Sequence, residues 1–183
     1  MGLDMYLSKR IWIGANYEHN KVSGKISLKK HKTPIKIDIK KLKYVIEEVG
    51  YWRKANAIHL WFVNNCQNGV DDCKEYYVSK EKIEELLSLC KKVMDVAITK
   101  TGKVSLGFKY TTKGEKEEIT KEGKIIINSD EIEKLLPTTS GFFFGSTEYD
   151  EYYLEDIRNT IEICEKALAE NDDCSDFYYS SSW

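Results

Sequence analysis

Residues 136–153 read LPTTSGFFFGSTEYDEYY, and the rest of the chain is organised around them. The stretch holds one of the two prolines, two of the glycines and six aromatics, a density that a surface loop carries only if it packs or binds. On its N-terminal side, Ser129 can cap a short helix over 130–136 that Pro137 stops, because proline brings no N–H to the helical ladder. Thr138, Thr139 and Ser140 then supply hydroxyls, and Gly141 and Gly145 flank Phe142, Phe143 and Phe144. On its C-terminal side, Thr147 and Asp150 form a capping-box-like start to a last helix. Leu154, Ile157, Ile161, Cys164 and Leu168 recur at spacings of three and four, which predicts that helix over 149–170 with one face on a core. Tyr149, Tyr152 and Tyr153 decorate its first turns. The tail FYYSSSW, 177–183, is too aromatic to be loose and is expected to dock as a final strand or against a groove.

Upstream, YWRKANAIHLWFVNN at 51–65 places Trp52, Ala55, Ile58, His59, Phe62 and Val63 at helical spacing, with Gly50 before it and Asn68-Gly69 after it. A helix over 51–65 would put Arg53 and Lys54 in its first turn, where the positive end of the dipole disfavours cations, so their placement asks for an anionic partner. A second helix over 80–97 has Ser79 as N-cap, glutamates early and lysines late. The apolar–polar alternation of Leu3, Met5 and Leu7 predicts a strand near the N-terminus, and Tyr76-Tyr77-Val78 a brief one. Ile26, Leu28, Ile35, Ile37 and Ile39 alternate with lysines around the turn HKTP, which predicts a hairpin with one buried and one lysine-covered face. Residues 98–128 turn to Thr, Gly, Lys and Glu, and read as a protruding hairpin or small meander too poor in apolar residues to hold a core of its own. The fold expected is α+β: a single domain over 1–183, with an antiparallel sheet packed against three main helices and that protruding hairpin.

Composition limits the function classes. A chain of 183 residues, 42% apolar and 32% charged, suits one soluble globular domain. Its apolar runs are far shorter than the roughly 20 residues a membrane helix needs, and MGLDMYLSKR lacks the pattern of a secretory signal, so a cytoplasmic location and no membrane partner are expected. Five scattered cysteines, with no CxxC pair, point to reduced thiols rather than a disulfide framework or a zinc site. Between Lys21 and Lys43 nine lysines and His31 face one acid, Asp38. With no aromatic or arginine interleaved there, the lysines read first as edge protection, and no tight duplex nucleic-acid binding is expected.

No nucleophile elbow, P-loop, dinucleotide fingerprint or zinc-helix motif is present, so catalytic residues, metal and cofactor are all assigned as none. Ser140 or Ser146 with His59 and Asp150 is the one candidate set for nucleophilic chemistry. Glu148, Asp150 and Glu151 already occupy the positive end of the last helix, which argues against phosphate there. A ligand site is instead expected from Arg53, Lys54 and His59 for phosphate, Ser140, Phe143, Ser146, Thr147 and Tyr149 for hydroxyl contacts and stacking, and an acid accepting from ribose or base.

The blocks MGLDMYL, YWRKANAIHLWFVNN and LPTTSGFFFGSTEYDEYY, with the FYYSSSW ending, resemble a group of small proteins encoded by bacteriophages and prophages. The resemblance spans about half the chain and brings no activity, cofactor or site residue with it. What it implies is context: an accessory protein in the host cytoplasm, acting in host takeover or against host defence. Within that context the sequence points to a non-catalytic binder of a nucleotide-derived or phosphorylated small molecule. The alternatives are a module binding or inhibiting a host protein, with homo-oligomer formation open, and a nucleotide hydrolase.

Overall fold

A computed structural model describes residues 2–20, 23–24, 27–30, 32–112, 114–170 and 174–183. Strand β1 (Asp4–Trp12) is followed by a long excursion carrying β2 (Ser27–Lys30), β3 (Thr33–Lys36) and a 3-10 turn at Ile39–Lys41. The chain returns as β4 (Tyr44–Arg53), then forms α1 (Asn56–Cys66), β5 (Tyr76–Val78), α2 (Lys80–Val96), β6 (Thr99–Tyr110), β7 (Lys116–Ile126), α3 (Ser129–Leu135), α4 (Glu151–Ala169) and β8 (Ser175–Ser182). The principal sheet runs β4-β1-β8-β5, with every neighbour antiparallel. This is the α+β architecture expected, with the first and last strands of the chain at its centre.

Strand alternation sets which side is inside. Leu3, Met5 and Leu7, Gly50 and Trp52, and Phe177 and Tyr179 point to one face and are buried, together with Ile58 and Phe62 of α1, Ile83, Leu86 and Val93 of α2, and Leu154 and Ile157 of α4. They belong to one cluster of buried residues that α3 enters through Ile132. Complete burial of a Leu, Ile or Phe contributes about 1.5–3 kcal/mol, so this cluster is the main stabilising term. Ser79 caps α2 as expected, its hydroxyl accepting from Lys82 N.

Five expectations are corrected. Residues 51–53 are strand, not helix. Tyr51, Trp52 and Arg53 pair with Tyr6, Met5 and Asp4, and only from Asn56 does the chain turn helically. Trp52 fits both periods, and pairing with β1 decides between them. Gly50 is no helix punctuation either: a Cβ there would lie 2.4 Å from Ile163 Cγ2, so glycine lets α4 cross close to the sheet. The lysine hairpin buries no described face, since Leu28 and Ile35 oppose each other across a separate two-stranded ribbon and both stay exposed. Ile26 and His31 of that reading lie outside the described residues. At α4, Asp150 alone is the cap, its carboxylate accepting from Tyr152 N and Tyr153 N, in place of a Thr147–Asp150 box. At α3, the cap position falls on Asn128 rather than Ser129, and the Asn128 side chain instead accepts from Ile98 N and donates to Val96 O.

In the expected hairpin region β6 and β7 pair as one long ribbon, bulged between Ser105 and Gly107. Its base is tied to the body through Glu151, which accepts from Lys124 N at 2.9 Å and pairs with Lys121 at 2.7 Å. None of the described helices is long and apolar enough to cross a membrane.

Candidate functional site

The site is built at the junction of β4 and α1. Lys54 leaves the strand at φ +62°, a left-handed conformation costing a non-glycine residue about 1 kcal/mol or more. Its backbone is held there, Lys54 N donating to Leu3 O at 2.7 Å and Asn56 N donating to Lys54 O at 2.8 Å. Two residues on, the buried Asn56 side chain turns to the 138–147 loop. Its Nδ2 donates to Phe144 O at 3.1 Å and Ser146 O at 2.7 Å, and its Oδ1 accepts from Thr139 N at 3.1 Å. The loop is closed at its base by Thr138, whose Oγ1 donates to Thr147 O and whose N–H donates to Tyr149 Oη. Leu3 N donates to Phe143 O. Gly145, at φ +89°, faces Lys54 so closely that a Cβ would come within 3.1 Å of the Lys54 Cβ. The 53–54 and 145–149 segments are therefore neighbours.

They open into a cleft of about 1200 Å³ between this junction, the β6–β7 ribbon and the first turns of α4. Of the residues expected at a site, Arg53, Lys54, Ser146, Thr147 and Tyr149 line it, joined by Lys103, Phe108, Tyr152 and Asp156. His59, Ser140 and Phe143 do not. His59 is buried, with Nδ1 2.8 Å from Tyr179 Oη and Nε2 2.9 Å from Asp71 Oδ2, and its ring meets Phe144 edge-on. It is a core knot between α1, β8 and the 67–75 loop. Ser140 is exposed on the loop, and Phe143 contributes its carbonyl to Leu3 while its ring meets that of Phe142, itself 85% exposed. The serine–histidine set does not assemble, because both nitrogens of His59 are engaged in the core.

Arg53 and Lys54 precede the helix, so the dipole argument that singled them out does not hold. Arg53 instead lies beside Asp4, with Nη1 3.2 Å from Oδ1. The cations Arg53, Lys54 and Lys103 share the cleft with carboxylates from α4, the loop and the ribbon, among them Glu148, Glu155, Asp156 and Glu118. The positive end of α4 is closed to an anion by Asp150, whose carboxyl is pushed up by burial and drawn back by the Tyr153 and Tyr152 amides. Asp156 is pushed up to about 7, by burial first and then by the neighbouring Glu155 and Asp150. Near neutrality such a carboxyl is partly protonated, so it offers a hydrogen-bond donor as well as acceptors. Among the described residues there is no His, Cys, Asp or Glu group suited to a metal ion, and burial pushes the Cys66 thiol up to about 11, away from reactivity.

Sequence reasoning missed Asn56 and Lys103, and expected an acid in the site without assigning it to Asp156. Asn56 sits inside an apolar run, where an asparagine is out of place unless buried with partners, and that was the available signal. Lys103 and Asp156 carry none, being one lysine of many on a charged ribbon and one acid of several on a helix. No protein-family model, curated protein or solved structure matches the chain.

Proposed function

We propose that the protein is a non-catalytic receptor for a small nucleotide-derived or phosphorylated ligand, bound in the cleft between the β4–α1 junction and the β6–β7 ribbon. The observation that carries this is the convergence of Arg53, the strained Lys54 and the Ser146–Thr147 step on one cleft large enough for such a ligand. Lysine and arginine take the phosphate, Tyr149, Tyr152 or Phe108 offers a ring to a base, and Asp156 meets a hydroxyl or amino group. Backbone strain at a cleft is characteristic of positions kept for binding. In the context that the phage resemblance implies, capture of a host signalling nucleotide would blunt host defence. A second reading, docking of a host protein, is favoured by the exposed Phe142–Phe143 pair on the crest of the same loop, with ring centroids 4.4 Å apart.

Calorimetric titration of mono-, di- and cyclic nucleotides against the wild type and Arg53→Ala tests the proposal. At least one ligand is expected to bind the wild type and to lose about 1 to 3 kcal/mol in the variant, as a charge-assisted hydrogen bond is removed. The melting temperature should hardly move, since the Arg53 side chain is 57% exposed and its ion pair with Asp4 is screened by solvent. Binding by none of them, with a Phe142→Ala-sensitive protein complex in its place, moves the assignment to the second reading. Turnover of a bound nucleotide would make the protein an enzyme.

A further inference from the structure

We propose that the open face of the four-stranded sheet is a stacking platform for single-stranded nucleic acid, with Lys40, Lys41 and Lys43 at the entry to β4 contacting its phosphates. The register places the aromatics. Tyr6 and Trp12 of β1 point away from the core and pair with Tyr51 and Tyr44 of β4, while Tyr178 of β8 pairs with Ser8 on one side and Tyr77 of β5 on the other. Six aromatic side chains thus share the face opposite the buried Met5, Leu7, Trp52, Phe177 and Tyr179. Tyr77 is 55% exposed, Tyr44 43%, and Trp12 and Tyr51 40% each. Large aromatics on one face of all four strands, in the pairs Tyr6–Tyr51, Trp12–Tyr44 and Tyr178–Tyr77, cost solubility without adding to the core, which sets them apart from scattered surface residues.

Charge decides the occupant. On the face itself Arg53 lies beside Asp4 and Arg10 pairs with Glu75, and Glu48 and Asp176 are present too, so the platform is close to neutral. Cations gather at the Trp12–Tyr44 end. Arg10 lies 4.0 Å from the Tyr178 ring centroid and 5.8 Å from that of Tyr44, and Lys43 Nζ lies 5.4 Å from the Tyr44 ring. Lys40, Lys41 and Lys43 lead directly into Tyr44 and are exposed, as are Lys29 and Lys36 on the β2–β3 ribbon. Aromatic rings flanked by a lysine-rich segment match bases and phosphates, whereas lysine is depleted at protein–protein interfaces. Rings on an open sheet face reach the faces of unpaired bases and not those stacked inside a duplex, so the preference is for single strands. The sequence shows no aromatic among the lysines because the sheet register brings them together from four separate strands. The platform shares none of its aromatics with the cleft and stands whether or not the cleft binds a nucleotide.

Fluorescence anisotropy tests this with labelled oligo(dT) and oligo(U) of roughly twelve nucleotides and with the matching duplex. Single strands should bind more tightly than the duplex, with affinity falling as salt rises. Tyr44→Ala combined with Tyr77→Ala should weaken single-strand binding by about tenfold or more while circular dichroism stays unchanged, both side chains being half exposed. Lys40→Gln with Lys41→Gln and Lys43→Gln should flatten the salt dependence. Absence of oligonucleotide binding near physiological salt, preference for the duplex, indifference to the tyrosine pair, or occupation of the face by an oligosaccharide or protein alone overturns the proposal.

Discussion

At Asn56 one buried side chain holds three points of the 139–146 backbone, and the geometry of the cleft depends on it. Asn56→Ala leaves two carbonyls and an amide to find other partners, and is expected to cost about 2–3 kcal/mol in urea unfolding. Faster exchange of the loop amides should accompany it, with α2 unaffected. Asp156 makes a prediction in pH. Its folded pKa, pushed up to about 7, lies above the ordinary carboxylate value, so between the two the folded state keeps a proton that the unfolded chain has released. Its contribution is therefore most favourable in acid, declines as pH rises from about 4, and is at its least favourable above 7. Asp156→Asn should be more stable than wild type at pH 8 by on the order of 1–2 kcal/mol, allowing for screening by the solvent it still touches, and the difference should vanish towards pH 4. Urea denaturation of both proteins across that range reads it directly.

Among the elements, β8 bears most on folding. It lies between β1 and β5, and its Phe177 and Tyr179 are core residues, with Tyr179 stacked on Phe62 at 4.0 Å. A chain ending at Cys174 leaves β1 with an open edge and β5 without a partner, and is predicted to lose cooperative thermal unfolding. A near-normal melting curve would show that β8 is dispensable. How legible each element was follows from its surroundings. The strand around Met5 and the helices at 80–96 and 151–169 have one periodic apolar face and strong caps, so local pattern and tertiary packing agree. Residues 51–53 misled because Trp52 satisfies both a three-four and an alternate spacing, and its assignment depends on β1, nearly fifty residues away. The lysine hairpin misled because alternation alone does not say which sheet, if any, covers its apolar side.

For the whole molecule, the α+β class could be read from the sequence because it needs only the sum of these periodicities. The site could be read only in part. The expected site joins Arg53, Lys54 and His59 to the Ser140–Thr147 loop, and the fold does set Lys54 against Gly145 and beside Ser146 and Thr147; the His59 ring is carried instead to Tyr179 and Asp71. The walls supplied by the ribbon and α4 depend on how those elements dock, which no local spacing encodes. The proposed function requires that the β4–α1 junction, the loop and the ribbon form one ligand site. Its most direct measurement is an amide-resolved NMR titration of isotope-labelled protein with the nucleotide panel. At least one nucleotide is expected to shift Lys54, Gly145, Ser146, Thr147 and Lys103 together, saturably and with a common dissociation constant, and Asn56→Ala to weaken the response. Shifts absent from these amides, or divided among sites with different constants, would contradict it.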